Sequence, residues 1–185
     1  MEFFETVQTR QSIRKFQATP VEAEKLTRIL DAANRAPSAG NLQAYRIFVV
    51  THPLLRQRLA RAAGNQPCVA EAPVVLIVCA EPGRSAAVWG AKGEQLLCIQ
   101  DATIACAYLQ LAATALGLAS VWFGAVIESE AIRESLGLTE DLWPLVVLPL
   151  GYPAEQPART PRRALQDVVS EVEVTLARNS LRNSL

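Results

Sequence analysis

ATIACAYLQLAATALGLASVWFGAVI, running from Ala102 to Ile127, contains no charged residue. By length it could cross a bilayer, which needs about 20 apolar residues. Its internal punctuation argues for the interior of a protein instead. Gln110 falls near the middle, Gly117-Leu118-Ala119-Ser120 interrupts the helical pattern, and Val121-Trp122-Phe123 then reads as a strand. A helix apolar all round is also what the centre of a domain in water requires. The stretch is therefore read as a wholly buried helix feeding a buried strand.

Outward from this centre the pattern alternates. Toward the amino terminus it predicts helices over 3–8, 20–35 and 54–63, strands over 45–50 and 74–79, and the start of the central helix near Lys92. The second helix carries an apparent capping box, Thr19 to Glu22, with Pro20 at the first helical position and Leu26, Ile29, Leu30 and Ala33 on one face. Toward the carboxyl terminus come strands over 120–123 and 145–150 with a helix over 130–136 between them. From Gly151 onward, prolines at 153, 157 and 161 and weak periodicity predict a surface arm, which ends in the short duplication RNSLRNSL at residues 178–185. The expectation is one α+β domain over residues 1–185, with 151–185 as the arm.

With half of its 185 residues hydrophobic, the chain can bury a real core without staples. Its 18 basic and 18 acidic residues cancel, so net charge suggests neither nucleic acid nor an anionic membrane as a partner. The distribution is uneven: residues 1–64 hold 10 Lys/Arg against 5 Asp/Glu, residues 65–150 hold 3 against 9, and residues 151–185 hold 5 against 4. Positive charge thus gathers at the two ends. Cys68, Cys79, Cys98 and Cys106 have no CxxC spacing and read as buried thiols of a reducing compartment. The first residues are acidic and aromatic where a secretory signal needs a basic region, so a cytoplasmic protein is expected.

The sole histidine, His52, precedes a proline at a turn, which disfavours histidine-based nucleophilic and metal sites. The glycines form neither GxGxxG nor a P-loop, and Glu128, Glu130 and Glu134 read as a solvated helix face. An enzyme built this way borrows its reactive group from a cofactor. TRQSIRKF, Thr9 to Phe16, suggests which kind. In an extended segment Arg10, Ser12 and Arg14 share one face, and two guanidiniums around a hydroxyl can grip a phosphomonoester. ARTPRRAL, Ala158 to Leu165, supplies a second cationic group, and a solvated surface remains the alternative for both.

Four motifs in order, RQSIRKF, APSAGNLQ, WFGA after the AATALGL helix end, and GYPAEQPARTPRRALQDVV, resemble the FMN-dependent nitroreductase family. NQPCVAEAPVVLIVCA and IQDATIA extend the similarity over nearly the whole chain. The resemblance implies an α+β nitroreductase-like fold with a central, mostly antiparallel sheet flanked by helices. It also implies a homodimer with FMN sites at the interface. It assigns the FMN phosphate to Arg10, Ser12 and Arg14 with Arg162 of the tail, the pyrimidine edge to Asn65, and one side of the ring to Phe123, Gly124 and Ala125. Pro37, Ser38, Ala39 and Asn41 would come from the partner chain. No side chain is assigned a catalytic role and no metal is expected. The implied activity is ping-pong hydride transfer from NAD(P)H to a small electron-poor acceptor such as a nitroaromatic or quinone. Other flavin chemistry on the scaffold (dehalogenation, dehydrogenation, oxygen-dependent flavin fragmentation) and a non-catalytic flavin sensor or store stay open. The chain departs from the family pattern at Ala44-Tyr45, where Pro-Trp is frequent, and at Thr160 and Ala164 of the tail.

Overall fold

A computed structural model describes residues 1–172; the duplication at residues 178–185 lies outside them. In chain order the elements are helix α1 (Phe3–Thr9), helix α2 (Ala23–Asn34), strand β1 (Tyr45–Val50), helix α3 (Pro53–Ala62) and helix α4 (Pro67–Glu71). Strand β2 (Val74–Ala80), helix α5 (Pro82–Lys92), helix α6 (Cys98–Ala115) and strand β3 (Ala119–Ser120) follow, then helix α7 (Ser129–Leu136) and strand β4 (Trp143–Gly151). The strands form one sheet in the order β1-β2-β4-β3, with every neighbouring pair antiparallel. A single parallel bridge from Ser12 to Ser120 adds the amino-terminal segment at the β3 edge.

All seven residues of β2 are buried because both faces of the strand are covered. Leu76, Val78 and Ala80 join the cluster made with Ile29 and Ala33 of α2 and Ala102, Cys106 and Leu109 of α6. Val75, Ile77 and Cys79 alternate to the opposite face, where Leu59 of α3, Val69 of α4 and Ile132 of α7 pack. The continuous apolar run in the sequence is thus a strand between two helical layers.

The uncharged stretch over 102–127 contributes to α6 and forms β3, with two differences from the pattern expected. A helix covering Pro82–Ala115 is long and apolar enough to span a membrane by length and composition. It is not one uniform rod: Gly90 leaves helical geometry, a π-turn covers Gly93–Leu97, and Asp101, Ala105, Cys106, Leu109 and Ala113 of α6 are buried in the fold. Nor is α6 wholly buried, since Thr103, Ala107 and Tyr108 form an exposed stripe on the side away from the sheet. The strand expected over 120–123 is also shorter. It ends at Ser120 and resumes only as a bridge between Phe123 and Val147, with the half-buried Trp122 between them packed against the first cluster.

The capping box does not form. Helix α2 begins at Ala23 with Glu22 as its N-cap residue and no side-chain cap bond. The Glu22 carboxylate is engaged elsewhere, accepting from the Tyr152 hydroxyl at 2.7 Å and pairing with Lys25 at 3.5 Å. A contact from the far end of the chain has displaced a local one.

Candidate functional site

The two cationic ends meet because the start of the arm is zipped onto the amino-terminal segment. Gln17 N–H donates to Tyr152 O at 2.9 Å, Ala154 N–H donates to Lys15 O at 2.8 Å, and Phe16 bridges Pro153. Glu155 closes the pairing by accepting the Arg14 and Lys15 amides at 2.5 and 3.1 Å. On the other side Ile13, 4% exposed, donates its N–H to Ser120 O at 3.2 Å, which seats the segment on the sheet edge. Ile13 is turned inward and Arg10, Ser12 and Arg14 line one groove. Gln11, which strict alternation would place on the other face, lines it too, because Arg10 still caps the end of α1.

They open onto a groove of about 690 Å³ whose other wall is Pro157, Ala158, Arg159, Thr160 and Arg162 of the arm. None of Arg10, Arg14, Arg159 and Arg162 takes part in an ion pair among the described residues. Partial burial, and then the nearby Arg162 guanidinium, hold the Arg10 pKa below its ordinary value. Two like charges so placed repel, and a multivalent anion between them would relieve both. Arg163 is turned away and donates to Asp167 O of its own turn.

A second group of expected residues gathers elsewhere. Asn65, exposed, follows Gly64 in the left-handed region, with φ of 57° and 69°. This corner packs against the segment after Phe123: a Cβ on Gly64 would lie 3.2 Å from Val126 Cβ, and Glu128 N–H donates to Ala62 O at 2.7 Å. Gly124 is required by space, because a Cβ there would stand 2.8 Å from Trp122 Nε1 and 3.3 Å from Leu145 O. Leu145 lies at the bulge where the β2–β4 register shifts, a device that re-aims chain near sites. Ala125 is exposed beside it, whereas the Phe123 side chain is buried in the second cluster, so only its backbone can face a ligand there.

The Pro37–Asn41 loop lies with α5 and α6, on the face of the sheet opposite the Asn65 corner. Pro37, Gly40 and Asn41 are exposed. Gly40, Asn41 and Gln43 all have positive φ (61°, 57° and 49°), an uncommon run for residues other than glycine. Ser38 acts locally, its Oγ accepting the Gln43 amide at 3.0 Å. The unexpected tie is Asp101 of α6, which accepts the Ala39 amide at 2.9 Å and the Ala44 amide at 3.3 Å. Trp89 of α5 covers Gly40, and Arg84 donates to Leu42 O at 2.5 Å.

The nitroreductase family model matches residues 7–67 and 60–152, which between them hold the amino-terminal arginines, the loop, the Asn65 corner and Gly124. The chain belongs to the nitroreductase family. Among its relatives, the NADH dehydrogenase of Thermus thermophilus is 35% identical over 86% of this chain and 91% of its own length. The FMN reductase [NAD(P)H] of Bacillus subtilis is 30% identical over 97% of this chain and 77% of its own. Among solved structures, the NADPH:FMN oxidoreductase of Vibrio harveyi complexed with NAD+ superposes with a TM-score of 0.84 at 32% identity, covering 93% of this chain and 77% of that one. The nitroreductase-like α+β fold expected from the motifs is the fold observed.

The sequence missed α4, α5 and the role of Asp101. Helix α4 is only five residues long and opens on Pro67, and Gly83 and Gly90 obscure α5. An isolated acid in an apolar helix gives no spacing to read.

Proposed function

We propose that this nitroreductase family protein is an NAD(P)H-dependent flavin oxidoreductase that holds FMN and reduces electron-poor acceptors such as nitroaromatics and quinones. The observation that carries the reading is the groove in which Arg10, Ser12, Arg14 and Arg162 converge from opposite ends of the chain without an acidic partner in an ion pair among the described residues. The donor set fits a phosphomonoester: planar guanidinium forks and a hydroxyl on an open rim. Arg10, Ser12, Arg14 and Arg162 would hold the FMN phosphate, and Arg159 lies on the same wall to replace the basic residue lost at Thr160. FMN, when bound, supplies hydride transfer between the nicotinamide and the acceptor, chemistry that no side chain of this protein performs.

The remaining groups position and shape. Gly124 is held free of a side chain by Trp122 and Leu145 O of its own chain, and its bare backbone, flanked by exposed Asn65 and Ala125, would form the wall offered to a planar ring. The loop bearing Pro37, Ser38, Ala39 and Asn41 is anchored on the opposite layer, which supports its service to the flavin of a second chain in a homodimer. The exposed stripe of Thr103, Ala107 and Tyr108 on α6, together with exposed Phe3 and Phe4 of α1, offers apolar surface for that partner. All four thiols are free and buried, in keeping with a reducing cytoplasm.

The test is direct. Purified protein should be yellow, run as a dimer, release about one FMN per chain and give parallel double-reciprocal lines. A colourless monomer that takes up no flavin from added FMN would overturn the reading.

A further inference from the structure

Asp101 is 2% exposed, and among the described residues it has no cationic partner. A carboxylate this deep lowers stability unless its oxygens are filled. Both are filled by one segment: Oδ1 accepts the Ala39 amide and Oδ2 the Ala44 amide, at 2.9 and 3.3 Å. These two amides bracket the residues that adopt left-handed backbone, Gly40, Asn41 and Gln43. Such conformations persist where surrounding contacts over-determine them.

We propose that Asp101 is the positioning residue for the ring-facing half of the flavin site: it clamps both ends of the 39–44 loop to α6 and so fixes where Ala39 and Asn41 stand. This rests on the reading of that loop as flavin-facing. The carboxylate suits the task because it is an acceptor on both oxygens, whereas an amide would set an NH2 group against one backbone N–H. The clamp is separate from the phosphate groove, so its loss should be felt equally by flavins with and without a phosphate.

The experiment compares wild type, Asp101→Asn and Cys106→Ala. Cys106 is buried on the same helix, within the core, and makes no contact with the loop's amides. Dissociation constants for FMN and for riboflavin are measured alongside amide hydrogen exchange of the dimer and Tm. Asp101→Asn should weaken both flavins by the same factor, about tenfold. It should also speed exchange over residues 38–44 while β2 stays protected. Cys106→Ala should lower Tm without either effect. If Asp101→Asn gives little folded protein, Asp101→Glu, which keeps both acceptors but displaces them, is expected to give the same pattern. Unchanged flavin affinity, or a rise in exchange no greater at the loop than in β2, would overturn the clamp. Exchange needs no flavin, so it decides the clamp even if wild type binds none; that second failure would instead remove the proposed function.

Discussion

At the scale of single residues, the decisive pair is Arg10 and Arg162. Replacing either with alanine should remove a charge-assisted contact worth about 1.5–3 kcal/mol, roughly one to two orders of magnitude in FMN affinity. Riboflavin, lacking the phosphate, should bind weakly to the parent and lose little more in the variants, as read by fluorescence titration of each flavin. Equal losses for both would mean that these arginines do not read a phosphate. The grouping of Arg10, Ser12 and Arg14 was legible because alternation along an extended segment is a local property, whereas the entry of Gln11 into the same groove was not, because it follows from Arg10 capping the end of α1. Asp101 was not, because its partners are backbone amides more than fifty residues away, and no side-chain pattern announces them. Ser38 was legible only as a choice between a local turn and a ligand contact; its Oγ is engaged by the Gln43 amide.

At the scale of elements, β1 is found with the bounds its pattern gave, while β2 and α6 differ at their ends. Where local signals competed with distant contacts, the sequence misled. Thr19 and Glu22 look like a cap, yet Tyr152 claims the Glu22 carboxylate. Helix α6 looked apolar all round because alanine and threonine fill its outward stripe, so composition could not separate its inner and outer faces. The placement of β2 and α6 has a chemical consequence. Burial pushes the Cys79 thiol up to about 12 and raises that of Cys106 as well. Native protein should therefore react slowly with a thiol reagent at neutral pH and expose four thiols on denaturation. Rapid titration of Cys79 or Cys106 in the folded state would contradict the buried β2–α6 layer.

At the scale of the whole molecule, residues 12–17 are joined to residues 152–155 on one edge of the sheet, while the 37–44 loop is anchored on the opposite layer. Pairing of residues 14–17 with 152–155 builds the groove, and no local window of sequence contains that pairing. On the proposed reading the two half-sites that complete one flavin come from different chains, so redox activity and dimerisation should be lost together on dilution. The central claim is that hydride from a nicotinamide enters this protein through bound FMN and leaves to a second substrate. Anaerobic stopped-flow mixing of the yellow dimer with NADPH or NADH tests it most directly. The flavin absorbance should bleach within seconds and return when a nitroaromatic or quinone is added. An FMN-loaded dimer that neither nicotinamide bleaches would contradict it.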